Sequence, residues 1–296
     1  MDSELLSNLA GSIRRRAANN GGFAFRPGRA SQPDATAWGV LALQAAGSDK
    51  PLLARARAYL ESVQADDGSV PIHPDHPEAC WPTPLAILAW QGDPGFKKPR
   101  TKAVDFLLAS VGQHGPNDSE SIFQHDNTIR GWPWISGTHS WVEPTAMAVI
   151  ALRACGLGEH PRAREAVRMI LNRQIASGGW NYGNTVVFGN QLHPMPAATG
   201  IALTCLIQAA SLKQVKNSLD YLQSELSRSR TPQTVAWGVL ALCAWGRKPA
   251  SAQDWIEQTL DRQNVFGPYD TPSLALLLLA LAAAAAPGSL AGLGIG

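Results

Sequence analysis

Glu143 is the residue whose type and setting point most directly to chemistry. It lies in Trp141-Val142-Glu143-Pro144, with Trp132 and Trp134 just upstream, and an apolar run follows it. Proline suits the first turn of a helix, so this carboxylate stands at a helix mouth, in a stretch with more tryptophan than a polar loop needs. It is either a cap or a reagent. The positive end of a helix favours the ionised form, whereas burial beneath Trp132, Trp134 and Trp141 favours the protonated one. If burial wins, Glu143 can donate a proton, and His139 or an ordered water can restore it. Asp34, in PDATAWG, is a second acid in the same position relative to an apolar run. As an N-cap it would contribute about 1 kcal/mol. Glutamate is a poorer cap than aspartate, which leaves Glu143 less reason to be there for stability alone.

These residues must be held by repeated elements. One apolar run recurs as Thr36–Gly47, Thr83–Gly92, Thr145–Gly156, Thr199–Ala210, Val235–Gly246 and, more weakly, Leu274–Ala285. Each reads as a helix with apolar contacts on several sides, often stopped by glycine. Between them lie amphipathic stretches: Glu4–Ala17, Leu52–Gln64, Lys98–Val111, Arg162–Gln174, Leu212–Leu226 and Gln253–Arg262. Their basic residues read as a solvated face. Six apolar helices alternating with six amphipathic ones bury best as an inner ring inside an outer ring, an all-α, α6/α6 toroid. All inner helices then run the same way, with their N-termini at one end. The expected organisation is one toroid domain over residues 1–286 and a Gly/Leu-rich tail over 287–296.

The 296-residue chain is 45% hydrophobic, 16% charged and carries a net charge of +2, so no basic surplus points to nucleic acid. Cys80, Cys155, Cys205 and Cys243 show no paired spacing, which suits a reducing, cytoplasmic setting. No signal-like segment opens the sequence, and the run Leu274–Ala286 is shorter than the roughly 18–20 residues a bilayer span needs. His73 and His76 with Cys80 have only a loose ligand spacing, and no metal or other cofactor is expected. Two long connections, Gly112–Val142 and Asn181–Pro196, flank the third inner helix and read as functional loops. They bring His114, His125, Asp126, Asn127, His139, Asn184, Phe188 and His193 near the mouth.

The amphipathic helices end alike. Gln174, Gly178 and Trp180 are spaced QxxxGxW, Gln64, Gly68 and Val70 repeat the spacing with valine last, and Gln263, Gly267 and Tyr269 with tyrosine. This terminator resembles the QW motif of squalene–hopene cyclases and related triterpene cyclases, and the repeats carry the resemblance over nearly the whole chain. The chain is similar in size to a monodomain class II terpene cyclase of the prenyltransferase and squalene-oxidase repeat superfamily. In that family the proton donor is the middle aspartate of DxDD, followed by Thr-Ala. Aligned on their LAL cores, the six inner runs place Asp34, Trp81, Glu143, Ala197, Gln233 and Pro272 there. Only Asp34 and Glu143 are acids, and both keep the Thr-Ala as Thr36-Ala37 and Thr145-Ala146. Neither keeps the flanking aspartates.

The resemblance implies proton-initiated cyclisation or isomerisation of an isoprenoid or other apolar small molecule. Glu143, or less so Asp34, would be the donor, with His139 assisting. Trp81, Trp132, Trp134, Trp141, Trp180, Phe188 and Tyr269 would line the pocket and face the cation. Peripheral membrane contact stays open as a partner. The alternative is a non-catalytic toroid that binds a lipid or a protein at the same mouth. A glycosidase pair is a third reading. Acids on inner helices one and three would lie roughly 14–17 Å apart at the backbone, which is wide for carboxyls that must stand about 5–10 Å apart.

Overall fold

A computed structural model of the chain describes residues 3–47, 50–116, 125–286 and 293. The expected tail over 287–296 lies outside them except for Leu293, which is buried in the core. In chain order the helices are α1 (Ser3–Arg14), α2 (Pro33–Ala45), α3 (Lys50–Ser62), α4 (Thr83–Trp90), α5 (Lys97–Ala109), α6 (Val142–Ala154), α7 (Pro161–Asn172), α8 (Pro196–Cys205), α9 (Leu212–Leu226), α10 (Pro232–Ala244), α11 (Ala252–Asp261), α12 (Gln263–Phe266) and α13 (Thr271–Ala285). Two short antiparallel pairs decorate the connections: β1 (Phe23–Ala24) with β2 (Ser31–Gln32), and β3 (Val186–Val187) with β4 (Asn190–Gln191).

Helices α2, α4, α6, α8, α10 and α13 pack each against the next, and α13 packs back on α2, so the inner ring closes. The α/α toroid follows from how apolar residues are distributed. In α2 every residue from Pro33 to Leu43 is buried, and α4 is buried throughout. The outer helices bury one stripe each, such as Ala163, Ala166, Val167, Met169 and Ile170 on α7. Trp38 of α2 and Trp237 of α10, on helices separated by α13, meet edge-on at 6.0 Å, so side chains fill the interior of the ring. Among the described residues no helix is long and apolar enough to cross a membrane.

Outer helices end where the next repeat begins, and the joint is tight. Gln64 donates to the Pro99 carbonyl in the first turn of α5 at 2.9 Å. Gln174 donates to the Gln214 carbonyl of α9 at 3.1 Å and to the Ser218 hydroxyl at 2.7 Å. Gly68 and Gly178 adopt φ of 92° and 105°, and a Cβ on either would collide with the backbone of the following outer helix. Glycine is therefore required at both positions for conformation and for space.

The reading of the basic residues as a solvated face fails at several positions. Arg57 is only 8% exposed and donates to the Ala89 carbonyl at the end of α4, to Gln44 and to Asp93. Arg153, on inner helix α6 and so outside that reading, donates in the same way to the Cys205 carbonyl at the end of α8. Each supplies a positive charge to the negative C-terminus of an inner helix. Arg162 lies over the Trp132 ring, with its guanidinium carbon 4.3 Å from the ring centroid.

Candidate active site at the mouth of α6

The Thr-Ala pair that follows each acid has a structural task. The Thr145 hydroxyl accepts from the backbone N–H of Trp132 at 2.9 Å, and Thr36 does the same for Phe23 at 2.8 Å. Thr83 and Thr199 repeat the bond to Val70 and Trp180. Each threonine thus pins the residue that closes a helix terminator onto the first turn of the next inner helix, satisfying a buried donor. We expect Thr145→Val to destabilise the protein by about 1–3 kcal/mol, because the Trp132 N–H is then orphaned in the core. Thr145→Ser, which keeps the hydroxyl, should recover most of that loss in urea unfolding.

Helix α6 begins at Val142, with Trp141 as N-cap residue, so Pro144 lies in the first turn as expected and Glu143 lies inside that turn too rather than before it. Pro144 costs no helix bond there, since the first N–H groups have no intrahelical partner. Glu143 caps nothing: its carboxyl makes no hydrogen bond or ion pair among the described residues, and it is half-buried. Burial alone pushes its pKa up from 4.5 to about 7.

Asp34 departs from its expected capping role. The N-cap position of α2 is Gln32, Pro33 follows, and Asp34 is already helical. It is 3% exposed, its Oδ1 has no partner, and its pKa rises to about 6, mainly through burial, with a smaller push from Asp270 and opposing hydrogen bonds from backbone N–H groups. Asp270 is a true cap, accepting from the Ser273 N–H at 2.8 Å at the start of α13. Neither Asp34 nor Glu143 perturbs the other.

The first turn of α6 separates two cavities. On one side Pro144 joins Cys80, Trp81, Phe106, Trp132 and Trp134 around an apolar slot of about 30 Å³, with Trp81 and Trp134 edge-on at 5.6 Å. On the other side Trp141 walls a polar cavity of about 560 Å³ with His114, His125, His139, Arg173 and Asn184. Segment 112–115 shapes the second cavity through bonds from Gln113 N–H to the Thr138 carbonyl and from Gly115 N–H to the Asn127 carbonyl. Residues 117–124 of the same long connection lie outside the described residues.

Several expected pocket residues are placed elsewhere. Trp180 is fully buried and its indole N–H donates to the Ile170 carbonyl at 2.7 Å, so it belongs to the core. Trp132 is bonded likewise to Leu107 and shows only part of its ring to the slot. The Tyr269 hydroxyl donates to the Thr259 carbonyl of α11, making it a strut between an outer helix and its terminator. Phe188 is 72% exposed at the tip of the β3–β4 turn, with φ of 49°, and lines neither cavity. His139 stands in the wall of the polar cavity, and no bond links it to Glu143 among the described residues. His73 and His76 are exposed, each facing an acid of its own loop, Asp75 and Glu78. Nothing in the sequence singles out Arg173: it adjoins the conspicuous Gln174, and its neighbours do not mark it as buried.

No family model matches the chain, and no curated protein matches its sequence. Its fold matches solved structures. The GH76A α-1,6-mannanase from Salegentibacter sp. aligns with a TM-score of 0.64 at 12% identity, over 96% of this chain and 98% of that one. A protein from Actinoplanes aligns with a TM-score of 0.63 at 15% identity, over 96% and 100%. A variant of the type II terpene cyclase MstE from Scytonema aligns with a TM-score of 0.56 at 17% identity, over 97% and 82%. At these identities the likeness shows the shared α/α-toroid fold, and two unlike chemistries on that fold mean that the site must decide between them.

Proposed function

We propose that the chain is a class II-like terpene cyclase or isomerase, in which Glu143 protonates an isoprenoid at the mouth of the toroid. The observation that carries this reading is the state of Glu143: a half-buried carboxyl with no partner among the described residues, its pKa pushed up to about 7 by burial. A general acid works best when its pKa lies near the working pH, and a cap or an ion-pair residue would be shifted down instead. Trp81 and Trp134 on one side of the same turn and Trp141 on the other are rings of the kind that stabilise a developing cation. The slot beside Pro144 has room for little more than a water, so binding requires Trp81 and Trp134 to part.

The mannanase likeness makes glycoside hydrolysis the competing reading. That chemistry uses two carboxyls flanking one bond, usually about 5–10 Å apart. Asp34 and Glu143 do not sense each other. Asp34 does sense Asp270, but the first is sealed from solvent and the second is engaged as a helix cap. The test is incubation with geranylgeranyl dihydroxybenzoate, the substrate of the cyclase neighbour, and with α-1,6-mannotriose, found in the mannanase neighbour. Mass-spectrometric detection of an isomer of the first, lost in Glu143→Gln, supports the reading. Cleavage of the second with no change in the first overturns it.

A further inference from the structure

The polar cavity beside Trp141 holds a buried charge that no described residue of its wall pairs. Arg173, the residue capping the end of α7, is 5% exposed yet cationic, and it lines the cavity. Among the described residues its Nη1 donates to the Gly183 carbonyl at 2.6 Å, and its Nε has no partner. No ion pair joins it to a carboxylate among the described residues, and Asp126 acts on it only at range. The described wall residues supply three imidazoles, of His114, His125 and His139, the amides of Gln113, Asn127 and Asn184, and the Ser140 hydroxyl, with no Asp or Glu among them. Burial moves Arg173 down only to about 10, so it keeps its charge, while His125 beside it is pushed down to about 4 and stays neutral. A buried guanidinium with unused donors is costly unless an anion completes it, and its planar fork suits a carboxylate or a phosphate.

We propose that this cavity receives the anionic end, a carboxylate or a phosphate, of the molecule whose apolar part reacts at Glu143. The substrate is then an amphiphile rather than a plain hydrocarbon. Trp141 is the shared wall: it lines the polar cavity and is the cap residue of the turn that bears Glu143. The Gly183 backbone held by Arg173 packs on the Trp141 ring, so the anion contact and the mouth of α6 are mechanically joined. This inference rests on the cyclase reading for the reacting end, while the anion site itself does not.

The experiment is therefore equilibrium binding, without turnover. Sodium benzoate and sodium phosphate are titrated into the full chain, with benzamide as the neutral control, and the arginine Nε–H resonances are followed by NMR. The expected result is saturable binding of at least one anion, a shift of the one resonance that Arg173→Lys removes, and an affinity at least tenfold weaker in that variant. His139→Glu, an exposed wall position that leaves Arg173 intact, should weaken binding similarly and covers the case in which Arg173→Lys fails to fold. Geranylgeranyl dihydroxybenzoate should compete with benzoate and bind at least tenfold more tightly, which identifies the anion as the substrate's own end. Independent, non-competing binding of the two would overturn that assignment in favour of a separate small-anion site. Absence of anion binding, or binding unchanged in both variants, removes the site altogether, whatever Glu143→Gln does to turnover. Binding that depends on Arg173, together with turnover indifferent to Glu143→Gln, would instead remove the cyclase reading and leave the site standing.

Discussion

Glu143→Gln should abolish turnover and at the same time make the protein more stable above pH 7. Both effects come from one proton. Donation by a placed acid is worth about 10²–10⁴ in rate, and glutamine, with the same shape, has no acidic proton to give. The loss should appear in kcat, with isoprenoid binding retained. In the parent protein the rate should fall as pH rises through about 7, where Glu143 ionises. The sign of the stability effect is fixed by linkage. The folded state holds the proton to about pH 7, the unfolded chain releases it near 4.5, so the folded state binds more protons across that window. Stability is therefore full below pH 4.5, declines as pH rises to 7, and stays low above it. The displacement corresponds to about 3 kcal/mol. Glu143→Gln removes that slope, so urea unfolding at pH 8 should give a variant more stable than the parent by up to about 3 kcal/mol, and the two should converge near pH 4. A catalytic group is expected to carry such a stability penalty. A variant that loses activity without gaining stability above pH 7 would mean that Glu143 is ionised in the fold.

The ring architecture was written in the sequence at two levels. Uniformly apolar runs named the inner helices, and threefold and fourfold spacing named the outer ones, to within a few residues at each end. Glu143 was legible too, as an acid at a helix mouth among tryptophans. What the sequence concealed is which side chains face inward from the loops. Trp132, Trp180 and Tyr269 look like cavity walls by type, but each donates a hydrogen bond to the end of an outer helix. A tryptophan that ends a helix terminator must satisfy its indole N–H, and the nearest free carbonyls are those of the helix it terminates. One signal for this was present: Phe23, Val70 and Trp132 each lie 13 residues before the threonine that accepts from their N–H. Trp180 lies 19 before Thr199, because the β3–β4 pair is inserted between them. Constant spacing between the residue that closes a terminator and a threonine marks a strut, not a pocket. Arg173 had no such signal. It shares a cavity wall with Gln113, His125 and Asn127 of one long connection and Asn184 of the other, and contacts of that kind have no local period.

The terminator glycines supply a test that separates two causes of destabilisation within one motif. Gly178 and Gly267 occupy the same place after an outer helix, at φ of 105° and 82°, where an L-residue is strained. A Cβ at Gly178 would lie 2.7 Å from the carbonyl carbon and oxygen of Asn217, and this backbone belongs to α9 and cannot move aside alone. At Gly267 an added Cβ meets nothing within 4 Å. Gly267→Ala should therefore cost only the backbone strain, about 1–2 kcal/mol. Gly178→Ala carries the same strain and must also push α7 from α9 or break the Gln174 bonds to Gln214 and Ser218. Its cost should be about 3–5 kcal/mol. The difference should be visible as a large gap in urea midpoint between the two variants at equal m-value. Equal costs would mean that the outer helices can part at this joint without loss, and that the ring is held by its inner helices alone.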